Sequence, residues 1–594
     1  MPGYHCRALM TVAIMLTALP ARESRGLAQE PSSNLKRADA DYREGTAALS
    51  RNDLNAALVD FQNVVRLAPA AEQGHSALGA VLVRLGRVSE GIHELEKALA
   101  IQPSDSAAQL NLALGYEQSG QAAKALPLFH KLAAASANAN QPLSSRVLAS
   151  YARALAATGQ LKAAVTRMKE AAARDPRNAD FQDGLGTLYA KLADWSDAKR
   201  AFSVAVADSP YFAMAHLHLG LTLRSLGEAG ALDELTKADE LEPRNSVIAL
   251  ELGSALADAG QDEQALPVLQ QASKLDSSST EAAYQLGLVL SRVDRVPEAI
   301  PLLQRAADAN PGRAEILINL GMALCLAQRA KDAVPLLQRA VTLEPKNVTA
   351  HQDLAVADIQ LSQFDDAIVQ LRAALKLSPD AAQLHYNLGY ALKMQDDAAD
   401  AIPELEAAEK LNASAPEAPY LLGVLYMQAG RYEDAVRELS ASLKLRPQNG
   451  DGWATLGSIY NKLDKLPEAV LALREAIQQS PMQADPHLTL AAVLAKQNQA
   501  AEATEERRKA ADLMRAHMNS QRAEVSTNSG NSLLANGKVE DAIADYREAL
   551  SFDANYAEAH EGLARALERQ GKAMEAATER QKAMSLRQGQ TKTQ

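Results

Sequence analysis

Residues 314–347 read AEILINLGMALCLAQRAKDAVPLLQRAVTLEPKN, and this stretch decides the fold. The Leu320-Gly321 pair falls in a first predicted helix, and Ala333, Leu337 and Ala340 fall in a second. Two antiparallel helices approach closely only where their side chains are small, so we expect Gly321 to lie at the helix crossing. The larger Leu337 then fills the remaining space. Pro345 cannot continue a helix and is expected to start the turn that leaves the unit.

The same residue types recur along the chain at a 34-residue step. The Leu-Gly slot is filled by Gly186, Gly220, Gly253, Gly287, Gly321, Gly389, Gly423 and Gly457, with Ala152, Ala355 and Ala491 as small substitutes. Two alanine series run in phase with it, and prolines such as Pro311, Pro345 and Pro379 close many units. The step falls to 33 between Gly220 and Gly253. A fixed period of this length is the signature of a helical repeat array.

This pattern resembles the tetratricopeptide repeat (TPR) family, over roughly residues 38–587. The resemblance implies an all-α fold, a right-handed superhelical α-solenoid of about sixteen tandem helix-turn-helix units. It also implies a concave surface lined by the first helix of each unit, helix A, that binds a protein or peptide partner. Some sugar-transferring enzymes carry similar arrays, but a catalytic domain would have to follow the repeats, and only a short polar tail does.

Breaks in the repeat predict the domain boundaries. Arg507 and Arg580 stand where the other units carry a large apolar residue, so the last unit is predicted to act as a polar cap. The predicted segments are a signal peptide at 1–28, a linker at 29–37, units 1–3 at 38–137, a linker at 138–144, units 4–14 at 145–515, a linker or extended helix at 516–522, units 15–16 at 523–587 and a disordered tail at 588–594.

The N-terminal residues predict export. An apolar run from Ala8 to Leu19 follows Arg7 and is too short to span a bilayer comfortably. Gly26-Leu27-Ala28 is a plausible small-x-small cleavage site, and Ala21 is a second candidate. We therefore expect an exported protein, periplasmic or secreted. No later segment is long and apolar enough to predict an integral membrane helix in the mature chain.

Composition argues against a nucleic-acid partner. The 594 residues carry a net charge of −12, and no basic face is evident. The two cysteines are Cys6 and Cys325, so removal of a signal peptide leaves one thiol and no internal disulfide. Cys325 sits in an apolar helical run and is expected to be a small packed residue.

The sequence predicts no catalytic site, metal site or cofactor. Six of the eleven histidines occupy one slot of the repeat, three residues before the Leu of the Leu-Gly pair: His75, His216, His351, His385, His487 and His560. A residue that recurs once per unit serves packing and does not gather into a ligand set. The glycines occur singly inside helices, without a phosphate-binding loop, and no nucleophile–His–acid set has local motif support. We therefore predict that the protein is not an enzyme.

One slot of helix A predicts a peptide-binding surface. The residue before the Leu of the Leu-Gly pair, here called the ladder slot, is polar in five successive units: Glu251, Gln285, Asn319, Asp353 and Asn387. Amide side chains offer a donor and an acceptor to a peptide backbone. The two flanking slots are largely apolar, with Tyr284, Leu288, Ile318, Met322, Tyr386, Tyr390 and Tyr420 as predicted contacts. These flanking residues alternatively pack against the second helix of their own unit, helix B. The Lys typical of TPR domains that grip a C-terminal carboxylate is missing from these slots.

Three functional hypotheses remain. The first is a non-catalytic scaffold that binds a protein or peptide through its concave groove, in the cell envelope or periplasm. The second is a structural spacer or self-associating rod whose groove has no specific ligand. The third is a cytoplasmic regulator, which applies if the N-terminal segment is not a signal. Solenoid folds support many binding specificities, so the sequence does not name the partner.

Overall fold

The computed structural model describes residues 33–139 and 141–590, and within them the chain consists of α-helices joined by short turns. The described residues divide into two compact halves, with the boundary between Ala306 and Ala307. The predicted signal peptide at 1–28 lies outside the described residues.

The N-terminal half contains fifteen complete helices among its described residues. Their bounds are α1 Ser33–Ser50, α2 Leu54–Leu67, α3 Glu72–Arg84, α4 Val88–Ile101, α5 Ser106–Gln118, α6 Ala122–Asn138, α7 Ser145–Ala157, α8 Leu161–Arg174, α9 Ala179–Lys191, α10 Trp195–Asp208, α11 Ala213–Leu226, α12 Ala231–Leu241, α13 Ser246–Asp258, α14 Asp262–Leu275 and α15 Thr280–Arg292. The boundary between the halves falls inside α16, Val296–Ala309.

The described part of the C-terminal half continues in the same manner. Its helices are α17 Ala314–Leu326, α18 Ala330–Leu343, α19 Val348–Gln360, α20 Phe364–Leu377, α21 Ala382–Met394, α22 Ala398–Leu411, α23 Glu417–Gln428, α24 Tyr432–Leu445, α25 Gly450–Lys462, α26 Leu466–Gln479, α27 Ala484–Lys496, α28 Ala500–Ala535, α29 Val539–Phe552, α30 Ala557–Arg569 and α31 Ala573–Gln590.

Successive helices pair as predicted, an A helix followed by a B helix. Up to α27 the odd-numbered helices are A helices, and α28 serves as B of repeat 14 and A of repeat 15. Because α28 belongs to two pairs, the 31 helices of the described residues form sixteen pairs, and the predicted all-α repeat fold is confirmed. The turn between A and B places at least one residue at positive φ, such as Gly260 at 71°, which ends helix A.

The small residue of the Leu-Gly pair lies at the helix crossing, where the sequence places it. A Cβ added at Gly321 would stand 2.6 Å from Cγ of Leu337, and one at Gly423 would stand 2.5 Å from Cγ of Leu439. Both leucines are fully buried. Ala333 and Ala340, which flank Leu337 on helix B, are also fully buried. The 34-residue series therefore sets the distance between helices A and B.

Some segment boundaries differ from the predictions. Helix α1 begins at Ser33, so residues 33–37 of the predicted linker are helical, since no Gly or Pro follows Pro31 there. At 516–522, which were predicted to be a linker or an extended helix, helix α28 is continuous, because these residues lack a Gly or Pro to end it. At the C-terminus α31 reaches Gln590, three residues into the predicted tail.

Arg580 does not fill the core of the last pair. Its guanidinium reaches out to Glu568 on α30, with Nη1 2.5 Å and Nη2 2.9 Å from the two carboxylate oxygens. The last helix buries only small side chains such as Ala576 and Ala583. The last described helix is therefore largely polar on its surface, as the outer face of a capping repeat is.

Candidate binding surface on the A helices

The A helices of the C-terminal half lie side by side, and this brings equivalent slots of successive repeats together. Helix α17 packs on α19, α19 on α21, and α21 on α23. Packed helices have axes about 8–10 Å apart, so a residue in one ladder slot has its counterpart within reach of the same ligand.

Three tyrosines form the aromatic part of this surface. Tyr386 and Tyr390 on α21, and Tyr420 on α23, are half-buried and pack on the hydrophobic core of the C-terminal half. Burial raises the pKa of Tyr386, and the charge of Glu417 on the neighbouring A helix raises it further. The three rings are therefore held in place and stay partly open to solvent. Tyrosines in this state give large contact areas at a low entropic cost.

The ladder slot of this half is not uniformly accessible. Asn319 is half-buried, and its Nδ2 donates to the carbonyl oxygen of Glu315 at 2.9 Å. Asn387 is buried, and its Oδ1 accepts from Nε2 of Gln383 at 2.9 Å. Both amides thus bond within their own helix. Asn319 keeps surface for a ligand, whereas Asn387 keeps little.

The flanking slots also divide into open and closed positions. Met322 is half-buried, whereas Ile318 is 6% exposed and belongs to the core. Ile318 therefore follows the alternative interpretation of the flanking slots, in which the side chain packs against the protein itself. Of the predicted contact residues in this half, Asn319, Met322 and the three tyrosines are accessible.

In the N-terminal half the same slots form a more polar patch. Tyr284 is 1% exposed and packs inside. Glu251, Gln285 and Leu288 are half-buried. Nε2 of Gln285 donates to Glu281 at 3.0 Å, and Arg224 lies 3.8 Å from Glu251. Burial raises the pKa of Glu251, although the charge of Arg224 opposes this.

Asp353 occupies the ladder slot but lies beneath the surface. It is 2% exposed, and its Oδ1 has no hydrogen-bond partner. Burial raises the pKa of this carboxyl to about 7. A buried carboxylate without a partner is unfavourable, so the group takes up a proton near neutral pH. Asp353 therefore affects the stability of α19 more directly than it affects ligand contact.

Two further groups surround Asp353 and share its buried environment. Asp358 on the same helix is 3% exposed, and burial followed by the charge of Asp366 raises its pKa to about 6. Cys325, on α17, is 2% exposed. Burial and then the charges of the two aspartates raise the pKa of its thiol to about 11. The thiol thus remains protonated and is a poor nucleophile, as expected for a packed cysteine.

Five of the six recurring histidines connect three chain segments, and His487 connects helices A and B of its repeat. Nδ1 of His75 lies 2.6 Å from Oε2 of Glu94 on helix B, and Nε2 donates to the carbonyl oxygen of Pro69 in the preceding turn at 3.0 Å. The same pairing recurs as His216 with Glu234, His385 with Glu404, His487 with Glu506, and His560 with Glu579, while His351 pairs with Gln370. We call this arrangement the histidine clamp.

Trp453 reproduces the carbonyl bond of the clamp. Its Nε1 donates to the carbonyl oxygen of Pro447 at 2.8 Å, in the slot that histidine fills elsewhere. The Glu or Gln that pairs with each histidine was not predicted from the sequence. A constant spacing could have revealed it, because His and Glu or Gln stand 19 residues apart in five of these repeats. The clamp explains why histidine recurs singly, with a role in holding the turn between repeats.

Replacing His385 tests the clamp. The His385→Phe variant is expected to lose about 1–2 kcal/mol of local stability, since Glu404 and the Pro379 carbonyl both lose a partner. His385→Trp is expected to lose less, because indole can donate to the carbonyl as Trp453 does. Amide hydrogen exchange of residues 379–394 measures this. The control is His93→Phe at an exposed histidine, and equal losses at both sites would contradict the clamp.

No metal-binding cluster is present in the described ranges. Within 33–139 and 141–590, no group of three or more His, Cys, Asp or Glu side chains is arranged to hold a metal ion. No helix in the same ranges is both long and apolar enough to cross a membrane.

Within the described residues, an array of sixteen A–B helix pairs, most of them at a 34-residue step and with small residues at their crossings, defines a helical-repeat solenoid. Families described as TPR repeat or tetratricopeptide repeat match the chain at 42–106, 76–140, 250–312, 284–348, 357–396, 392–459 and 530–571. The chain belongs to the tetratricopeptide-repeat proteins. Such repeats generally form non-catalytic scaffolds for protein interaction.

Solved structures share parts of this arrangement. The structure described as MamA MSR-1 C2 is 27% identical over 28% of this chain and 97% of that chain, with a TM-score of 0.27. YrrB, described as a TPR protein with an unusual peptide-binding site, is 24% identical over 33% of this chain and 97% of that chain, with a TM-score of 0.28. The APC/C hetero-tetramer Cut9-Hcn1 matches at 17% identity over 90% of this chain and 98% of that chain, with a TM-score of 0.31.

Structural similarity at these TM-scores does not indicate a shared function. No curated protein matches the chain.

Proposed function

We propose that the protein is an exported interaction scaffold, and that the A-helix surface of its C-terminal half binds an extended or helical segment of a partner protein. The observation that carries the proposal is the row of half-buried tyrosines at Tyr386, Tyr390 and Tyr420. These rings are fixed from below by the core and remain open above. Interfaces are enriched in tyrosines because one ring gives both apolar contact and a hydroxyl group.

Polar groups beside the tyrosines favour a peptide over a small apolar ligand. Glu417 and Asp451, whose charges raise the pKa values of Tyr386 and Tyr420 after burial, lie close to the rings. Asn319 adds an amide further along the surface. A peptide backbone satisfies such alternating apolar and polar contacts. The excess of acidic over basic residues, at a net charge of −12, disfavours nucleic acid as the partner.

Site-specific photo-crosslinking tests the surface with little disturbance of the fold. A photoreactive phenylalanine analogue is placed at Tyr390 or Tyr420, and for control at Val369, which is 62% exposed on helix α20. We expect both tyrosine positions to crosslink the same partner in the native host, and Val369 to give much less of that adduct. Equal adducts at all three positions, or none at the tyrosines, would reject the A-helix surface.

Export is proposed separately, from the apolar run at Ala8–Leu19 and the small residues near Ala28. N-terminal sequencing of the protein purified from its host tests it. We expect a mature chain that begins after Ala28 or Ala21. A chain that begins at Met1 would show that the segment is not cleaved and would favour the cytoplasmic alternative.

A further inference from the structure

Helix α28 joins two repeats without a turn, and it buries opposite sides in its two parts. In its first part Ala503 packs in one cluster with Val493 and Leu494 of α27. In its second part Ala523 packs with Ala549 and Ala559 of α29 and α30. The 20 residues between Ala503 and Ala523 correspond to a rotation of about 200° beyond complete turns. Helix α28 therefore packs on repeat 14 with one face and on repeat 15 with the opposite face.

This continuity leaves repeat 14 without the neighbour that other repeats of this half have. Helix α24 packs against α25, and α26 against α27, so a B helix normally contacts the next A helix. For α28 the next A helix is its own continuation. Ala495 on α27 is accordingly exposed, whereas Cys325 and Ala257 at the same slot are 2% and 8% exposed. One side of repeat 14 thus lacks the A helix that would cover it.

A line of four apolar residues and one glutamine on α28 faces outward at this place. Ala511, Met514, Met518, Gln521 and Val525 are all exposed and follow one another at steps of three and four residues. Met514, Met518 and Val525 are 42%, 52% and 69% exposed. None of the side chains from 511 to 522 is buried. A 3-4 spacing of this kind is the seam by which one helix packs along another. We call these five residues the α28 seam.

Arginines line one flank of the seam at heptad spacing. Arg508, Arg515 and Arg522 stand seven residues apart, and the first two side chains are 65% and 70% exposed. Arg515 contacts Asp512 at 3.3 Å, and Arg522 lies over the ring of Phe552 at 5.6 Å.

The charges on both flanks argue for an acidic partner. Arg508 also contacts Glu505 at 2.7 Å, on the side away from the seam. The opposite flank carries His517 and Glu524, both exposed. A second copy packed antiparallel would bring the two arginine lines together, which is unfavourable. A partner helix with carboxylates along this side would complement the arginines.

We propose that the α28 seam docks one amphipathic helix of a partner protein, with apolar residues at 3-4 spacing and Asp or Glu along the side that faces the arginines. The helix takes the place of the missing A helix beside repeat 14. This second binding surface is separate from the tyrosine surface on α21 and α23, and its test does not depend on the proposed function.

Two synthetic helical peptides test the proposal on the full chain. Both are about three heptads long with Leu at the seam positions, and their flanks carry Glu in one and Lys in the other. Fluorescence anisotropy is expected to show at least about tenfold tighter binding of the Glu peptide. The variant Arg508→Glu/Arg515→Glu/Arg522→Glu is expected to reverse this preference. Equal affinities, or binding of neither peptide, would overturn the proposal.

Matched variants locate the binding to the seam. Met514→Glu/Met518→Glu is expected to weaken binding of the Glu peptide by at least about tenfold. Met574→Glu makes the same chemical change at a methionine that is 87% exposed on α31, and it is expected to leave binding unchanged. Light scattering tests whether a second copy of this chain occupies the seam instead. If wild type forms a dimer that Met518→Glu dissociates, the seam binds a second copy and the proposal of an acidic partner is wrong.

Discussion

Replacing Gly321 with valine is expected to destabilise repeat 9 locally by about 2–3 kcal/mol, one of the two largest effects that the structure predicts. Even the first added carbon would lie 2.6 Å from Cγ and 2.7 Å from Cδ2 of Leu337, which is fully buried and cannot move aside freely. Gly321→Ala is expected to cost less, since Ala355 occupies the same slot in the next repeat. Amide hydrogen exchange of α17 and α18 measures the change, because long repeat arrays open locally.

Two comparisons separate crowding from a general effect of valine. Gly312→Val makes the same change in a turn where nothing lies within 4 Å of the added carbon, and little loss of stability is expected there. The double variant Gly321→Val/Leu337→Ala is expected to be more stable than the sum of the two single losses predicts, since the shorter side chain leaves room for the valine. Strict additivity would show that the two residues do not meet at the crossing.

The Asp353→Asn variant is expected to be more stable than wild type at pH 8. Burial raises the pKa of Asp353 in the folded state to about 7, whereas an unfolded Asp titrates near 3.9. Between these values the folded chain holds a proton that the unfolded chain has lost. Stability therefore falls as the pH rises from about 4 to about 7, and the loss is complete above pH 7. Asparagine has no such proton.

The expected size follows from the shift in pKa. The difference in opening free energy of α19 between the variant and wild type should grow by roughly 3–4 kcal/mol from pH 4 to pH 8, at ~1.4 kcal/mol per unit. Hydrogen exchange of residues 348–360, corrected for the intrinsic rate at each pH, gives this difference. Asp380→Asn, in an exposed turn, is the control and should show no such slope. A pH-independent difference at Asp353 would mean that its carboxyl is not raised by burial.

The sequence predicted most of the fold because the information is local and repeated. The spacing of Gly321 and Leu337 fixes which residues meet across one pair, and the same spacing holds in most of the other repeats, although Gly220 meets Leu235 one residue earlier. Helix α28 shows the limit of such reasoning. Residues 516–522 lack a Gly or Pro, and the period alone does not decide whether they form a loop or a continuous helix.

The candidate site was less predictable, since accessibility depends on neighbouring repeats. Asn319 and Asp353 occupy the same slot, yet the first is half-buried and the second is 2% exposed. The difference arises from the side chains packed around each residue, and Cys325 from the preceding repeat is one of those beside Asp353. Tyr284 and Tyr386 likewise share a slot, and only Tyr386 reaches the surface. The repeat period predicts the direction in which a side chain points. How deeply that side chain is buried depends on the neighbouring repeats of the assembled array.

Hydrogen exchange of the full chain with and without its crosslinked partner tests the central claim, that the A helices of the C-terminal half form the binding surface. With the purified partner bound, peptides from α21 and α23 are predicted to gain protection, while peptides from the B helices α22 and α24 stay unchanged. Protection confined to α22 and α24, with α21 and α23 unaffected, would contradict the account.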